Sequence, residues 1–226
     1  MSLLVWNCCE LGNPLTEDQL ADLVRAKHPS VVFIAKTWTD KARLERVQRK
    51  IQFKNMFEAP RRDKAGGLAL FWKEDFPRDI ETFSPNHIDS TINKNQVDEW
   101  RFTSFYGELV TQKRPESWAK LRQLKYRRAS RWLCAGDFNE ITRQSEKSGG
   151  RLMPHCQMQL FRDVMDECAF MDLGFVGFPF TWHKHFADCT IWERLDRALA
   201  TNEWFSMFPR TKIHHLDTIV SNHKPI

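Results

Sequence analysis

Gly136-Asp137-Phe138-Asn139-Glu140-Ile141 follows the apolar run Trp132-Leu133-Cys134-Ala135. The run reads as a buried strand that ends at a glycine and then presents a carboxylate and a carboxamide. Along an extended chain, residues i and i+2 point the same way. Asp137 and Asn139 are therefore expected to look into one pocket while Phe138 turns back into the core. A carboxylate that can take a proton, beside an amide that can hold a phosphate oxygen, is a hydrolytic pair. Asp and Asn also favour turns, and taken alone the stretch fits an ordinary turn better.

Working outward, Leu3 to Cys8 reads as another buried strand, followed by a loop carrying Gly12-Asn13-Pro14. Thr16, with Gln19 three residues on, has the form of a capping box, and Leu15 and Leu20 fit a hydrophobic staple. A helix is expected over 17–27. Val31-Val32-Phe33-Ile34-Ala35 is a second buried strand with Lys36-Thr37-Trp38 at its end. This β–α–β opening implies neighbouring parallel strands. Residues 40–51 form a basic helix whose Leu44, Val47 and Ile51 face inward; its Lys41, Arg43, Arg46, Arg49 and Lys50 read better as a solvated face than as a nucleic-acid patch. Arg61 to Gly67 is a loop before a strand over 68–72, residues 79–107 alternate as antiparallel strands, and Pro115 opens a helix running to about Lys125.

Beyond the central stretch, Gln144 to Gly150 is a polar loop. A helix over 155–168 places Met158, Phe161, Val164 and Met165 on one face. Met171 to Phe175 reads as loop, and Thr181-Trp182-His183 pairs with Thr190-Ile191-Trp192 in a hairpin. Glu193 to Ala200 carries helical propensity, Asn202 to Phe208 is a short helix, and Lys212 to Val220 is a strand. Two groups of strands with interleaved helices imply two packed sheets with helices outside them and polar candidates along one rim.

Composition narrows the class. At 226 residues, with no internal break, the chain is expected to be a single domain spanning 1–226 and a monomer. Its 17 Phe and 9 Trp are ample for a core. No run approaches the roughly 18 apolar residues of a membrane span. The opening Met1-Ser2-Leu3-Leu4-Val5-Trp6 lacks the basic region of a secretory signal. Six cysteines without a Cys-x-x-Cys pair fit free thiols in a reducing, intracellular compartment. A net charge of +5 permits a polyanionic partner without singling one out.

Seven motifs stand in one order: Trp6-Asn7-Cys8, Thr37-Trp38, Phe105-Tyr106-Gly107, Gly136 to Ile141, Phe180-Thr181-Trp182, Glu193-Arg194-Leu195-Asp196-Arg197-Ala198-Leu199, and Ser221-x-His223-x-Pro225-Ile226. Together they resemble the endonuclease/exonuclease/phosphatase superfamily, the DNase I-like fold. More closely, they are similar to the endonuclease domain of plant LINE-type non-LTR retrotransposons. The resemblance implies an α/β fold, a four-layer α/β/β/α sandwich, expected to lack its last strand because the chain ends at the final motif. It implies a Mg²⁺ (or Mn²⁺) dependent phosphodiesterase that nicks DNA for target-primed reverse transcription, with a reverse transcriptase downstream in a longer polyprotein and a nuclear site of action.

The same resemblance implies residue roles. Asp137 would orient and deprotonate the attacking water, and Asn7 and Asn139 would hold that water, phosphate oxygens or the metal's shell. Tyr106 would donate to a phosphate oxygen. His223 would contact the phosphate as it gains charge, with Asp196 fixing its tautomer. Thr181 would line the DNA-facing rim, and Ser221 would contact substrate.

Four positions, in three places, depart from the pattern. Lys36 stands where the family places the Glu that is its principal metal ligand. Asn222 replaces an Asp, and Cys9-Glu10 replaces Arg-Gly. An ammonium has no lone pair to give a metal, and magnesium prefers anionic oxygen. Metal binding and activity are therefore expected to be impaired, with Glu10 or Asp40 as substitutes that nothing in the sequence places. The alternatives are a catalytically inactive remnant that binds nucleic acid weakly, and a phosphatase of the same superfamily.

Overall fold

The computed structural model of the chain describes residues 1–59, 66–126 and 131–226. The first half runs β1 (Leu3–Asn7), α1 (Pro14–Lys27), β2 (Val31–Ala35), α2 (Lys41–Lys50), β3 (Asn55–Ala59), β4 (Leu68–Trp72), β5 (Arg78–Ser84), β6 (His87–Ile92) and β7 (Trp100–Tyr106). The second half runs α3 (Arg114–Lys125), β8 (Trp132–Asp137), β9 (Lys147–Ser148), α4 (His155–Glu167), β10 (Phe170–Asp172), β11 (Trp182–His185), β12 (Thr190–Glu193), β13 (Asp196–Thr201) and α5 (Asn202–Met207).

Two large sheets result. One is four-stranded, in the order β1-β2-β4-β3, with β1 and β2 parallel; the other is six-stranded, in the order β10-β13-β8-β7-β6-β5. Strand alternation sorts their side chains into layers. In β2, Val31, Phe33 and Ala35 enter the core between the sheets, while Val32 and Ile34 face a second core with Leu20 and Val24 of α1 and Leu44 and Val47 of α2. In β8, Leu133 and Ala135 enter the central core, while Trp132 and Cys134 meet Trp118 and Leu121 of α3 and Phe161 of α4. Helices, sheet, sheet and helices therefore stack as four layers, as the resemblance implied. A three-stranded sheet in the order β11-β12-β9 projects at the rim.

Most local expectations hold, and the departures have physical causes. Helix α1 starts earlier than read from sequence. Asn13 is its N-cap, accepting from the Leu15 amide at 3.0 Å, with Pro14 in the first turn. Thr16 is buried inside the helix and Leu15 is exposed, so neither the capping box nor the staple forms. Residues 196–201 are strand rather than helix, because β13 is hydrogen-bonded between β8 and β10 with every side chain buried; tertiary pairing overrides their helical propensity. Residues 212–220 form no strand and contribute one isolated bridge, His214 to Val176. Residues 170–172 belong to a strand where a loop was expected. The basic face of α2 is drawn into ion pairs with α1, Arg43 to Glu17 and Lys50 to Asp18, in keeping with a solvated face. Most of the expected loop from Arg61 lies outside the described residues. The last residue, Ile226, exchanges both backbone hydrogen bonds with Val5 at 2.9 Å, so the chain reaches the free edge of β1.

Candidate active site

The sheets meet at one rim through their strand ends. Asn7 closes β1, Lys36 follows β2, Tyr106 closes β7 and Asp137 closes β8. Gly136 is what lets β8 lie so near β7. Its φ is 153°, and a Cβ there would fall 1.8 Å from the Phe105 carbonyl oxygen. Only glycine fits.

Asp137 leaves the sheet into a tight turn. Its Oδ1 accepts from the Asn139 amide at 2.8 Å, and Asn139 adopts a left-handed φ of 53°, which Asn tolerates better than most residues. Asn139 thus reaches the site by a turn, not by strand alternation. The turn reading and the site reading of this stretch describe the same structure. The Asn139 side-chain amide donates to the Gly107 carbonyl at 2.7 Å, and Phe138 is fully buried.

Asn7 Nδ2 donates to Asp137 Oδ2 at 2.8 Å and lies 3.2 Å from His223 Nε2. His223 Nδ1 lies 2.9 Å from Asp196 Oδ2 and 3.7 Å from Asp137 Oδ2. A ring protonated at Nδ1, with Nε2 accepting from Asn7, satisfies these contacts. Burial raises the Asp196 pKa, with His223 opposing and Asp137 reinforcing that rise. The His223 segment is held from several sides. Its carbonyl accepts from Trp6 Nε1 at 2.9 Å and its amide donates to Ser221 Oγ at 3.0 Å, while Ser221 Oγ donates to the Asn7 carbonyl at 3.0 Å. Ser221 is thereby a strut of the loop.

Thr181 lies beneath the rim and not on it. It is 1% exposed, and its Oγ1 accepts from the Leu195 and Asp196 amides at 3.0 and 2.9 Å. It fixes where Asp196 stands.

The two substituted positions come to the pocket. Lys36, half-buried with φ 54°, places its Nζ 5.5 Å from the Tyr106 ring centroid. Burial pulls its pKa down, but Tyr106, Asp137 and Cys9 together hold it above the ordinary lysine value. Burial pushes Tyr106 up to about 12. Asn222 Oδ1 accepts from the Cys9 thiol at 2.9 Å. Cys9 had no assigned role in the sequence reading; only its place in the departing Cys9-Glu10 pair marked it.

A second cluster was also unassigned. Arg194 and Arg197 are buried and form a network with Glu146 and Asp172: Arg194 to Asp172 at 2.7 Å, Arg197 to Glu146 at 2.8 Å and Arg197 to Asp172 at 2.8 Å. Arg197 also donates to the Arg194 carbonyl at 2.8 Å. This network braces the turn into β13, which carries Asp196.

Ligand atoms of Asp137, Asp196 and His223 lie within 4.8 Å of one another, all buried. These residues nevertheless do not fit a magnesium ion well. The nearest oxygens are already engaged by Asn7, Asn139 and His223. Magnesium demands near-octahedral oxygen coordination, and a cation entering beside Asp137 would meet the Lys36 ammonium. Of the proposed substitutes, Asp40 is occupied capping α2 through the Arg43 amide at 2.8 Å, and Glu10 is exposed.

Comparison with known proteins agrees with this architecture. No curated protein matches the chain in sequence. The endonuclease domain of TRAS1, a telomere-specific non-LTR retrotransposon, superposes with a TM-score of 0.73 at 12% identity, covering 99% of this chain and 94% of that one. The 3'-5' exonuclease NExo from Neisseria meningitidis gives 0.76 at 14% identity, covering 100% and 97%. The 3' phosphatase NExo from Neisseria, bound to product DNA hairpin, gives 0.71 at 13% identity, covering 100% and 97%. At such identities the likeness establishes the fold. Among the described residues, no helix is long and apolar enough to cross a membrane. The family profile matches residues 4–223, and the chain accordingly belongs to the Endonuclease/Exonuclease/phosphatase family.

Proposed function

We propose that this chain is a DNA-directed domain of the retrotransposon endonuclease kind, whose pocket grips a backbone phosphate while metal-assisted hydrolysis is impaired. The observation that supports it is the Lys36 ammonium standing against Tyr106 and Asp137. In an unimpaired site of this kind a divalent ion, Mg²⁺ or Mn²⁺, would supply charge for the phosphoryl oxygens. Here Lys36 supplies one positive charge and nothing that can activate water.

The remaining parts are assembled for phosphate chemistry. Asp137 would orient a water toward phosphorus and take its proton. Asn139 and Tyr106 would offer donors for phosphate oxygens, while Asn7, whose amide already donates to Asp137 and His223, would hold those two side chains in place. His223, steadied by Asp196, would contact the oxygen that gains charge. The reading carries with it a reverse transcriptase in the same polyprotein, a plant LINE-type origin, a nuclear site of action, a single domain and a monomeric state.

The test is nicking of supercoiled plasmid in Mg²⁺ or Mn²⁺. No nicking is expected from the unmodified chain, and retardation of DNA at low salt should fade steeply as salt is added. Robust nicking that Asp137→Ala abolishes would overturn the impaired-site reading. The likeness to a 3' phosphatase keeps a second reading in view: release of phosphate from a soluble phosphomonoester, with DNA untouched, would favour it.

A further inference from the structure

The pocket has an aromatic neighbour that the phosphate reading does not use. Phe175, Val176, Phe178 and Phe186 are all exposed and fall within one short stretch. The β11–β12 register places His183 opposite Trp192 and His185 opposite Thr190, so these four share one face of the hairpin. On that face the rings run in sequence. His185 lies 5.0 Å from His183, His183 4.7 Å from Trp192, Trp192 5.3 Å from Phe178, and Phe178 5.7 Å from Phe180, centroid to centroid. Among the described residues, none of these rings belongs to a buried core cluster. Three of these contacts are edge-on, at 67°, 70° and 72°, and His183 and Trp192 meet at 31°, so the part-exposed rings turn faces in more than one direction toward solvent.

One cation adjoins the row and a second lies beyond its end, on the other face of β11. Lys224 Nζ lies 5.5 Å from the Phe178 centroid, and Lys184 Nζ lies 5.0 Å from that of Phe186. Lys224 also pairs with the exposed Asp217. Asp188 is the one acidic residue from Trp182 to Trp192. The row is tied to the pocket by backbone. The His183 amide donates to the Asn222 carbonyl at 3.1 Å, the Lys224 amide to the Thr181 carbonyl at 2.7 Å, and Trp182 bridges to His223.

We infer that this row is a stacking platform for the bases of an unpaired nucleic-acid strand whose backbone enters the adjoining pocket. Exposed ring faces beside the Lys224 ammonium match bases beside phosphates. The face is continuous with the site that would hold a phosphate, so one strand can engage both. A duplex hides its base faces in its own stack and offers the platform nothing. The inference rests on the pocket being a phosphate site.

The test is fluorescence anisotropy of labelled oligothymidylate and of a labelled duplex, with the full chain at low salt in EDTA. The single strand should bind about tenfold or more tightly than the duplex. Phe178→Ala and His185→Ala should each weaken single-strand binding about fivefold or more, as loss of one stacked base predicts. Duplex binding should change less than about twofold, Phe178→Tyr should behave as the unmodified chain, and circular dichroism should confirm folding. Equal affinity for the two forms, or single-strand binding indifferent to both alanine variants, would overturn the platform and leave the phosphate site standing. Binding of neither form would remove the pocket reading itself, and the platform with it.

Discussion

Exchanging two of the departing residues for acids, Lys36→Glu with Asn222→Asp, should give a pocket that binds magnesium more tightly than the unmodified chain does. Lys36 already holds a left-handed backbone beside Asp137 and Tyr106, and a glutamate carries the same backbone penalty, so the exchange changes charge more than conformation. A unit charge about 4 Å from a divalent ion interacts by about 8 kcal/mol at an effective dielectric near 20. Lys36 is half-buried, so water and a swinging head group reduce this several-fold. A residue of only about 2 kcal/mol still changes metal affinity about thirtyfold. In EDTA the variant should be less stable than the parent, because added carboxylates would then crowd Asp137 and Asp196 in one pocket. Magnesium should reverse this. At about one hundred times its Kd, a ligand adds about 2.7 kcal/mol of stability, or about 5–11 °C in a chain of this size. The assay is a magnesium titration followed by tryptophan fluorescence, with Trp38 46% exposed beside Lys36 and Trp6 bonded to the His223 carbonyl, together with a melting curve. If the unmodified chain bound magnesium as tightly as the variant, Lys36 would not be what keeps the metal out.

Four further outcomes follow from the supporting structure. Arg197→Met leaves buried Glu146 and Asp172 short of a partner and should cost about 3–5 kcal/mol, seen as a melting temperature lowered by about 6–20 °C. For Glu146 and Asp172, burial raises the pKa, but their arginines more than offset it and hold both below their ordinary values of 4.5 and 3.8. The stability they contribute is therefore present above those values and lost as pH falls through the lowered ones; urea unfolding from pH 7 to pH 3 should show the loss, and Glu146→Gln should flatten it. Gly136→Ala drives a methyl group into the Phe105 carbonyl and should abolish soluble expression. Thr181→Val, which leaves two buried amides without an acceptor, should lower stability by about 1–3 kcal/mol in thermal melts.

Much of the layer order was legible because buried strands are written as continuous apolar runs. Val31 to Ala35 and Trp132 to Ala135 need no partner to be recognised. Asp196 to Thr201 was not legible in that way: Arg197 and Ala198 suit a helix, and only the flanking β8 and β10 make them a strand. Strands β9 and β10 are two and three residues long, too short for any period to register. At the site, the ordered motifs foretold that Asn7, Asp137 and His223 converge. They did not foretell that Asn139 arrives through a left-handed turn, that Thr181 works from below, or that Cys9 takes the Asn222 oxygen. Those depend on backbone dihedrals and long-range contacts that no local window contains.

The Asn7–Asp137 hydrogen bond joins the tip of a strand in one sheet to the tip of a strand in the other. The pocket is therefore a vernier for how the two halves of the sandwich are aligned. A slip of an ångström between them would scarcely disturb the broad apolar filling, yet it would pull amide from carboxylate and uncouple His223 from its neighbours. Changes to Phe33 or Leu133, far from any substrate, should thus register first as a misaligned pocket in a protein that still melts as a folded one.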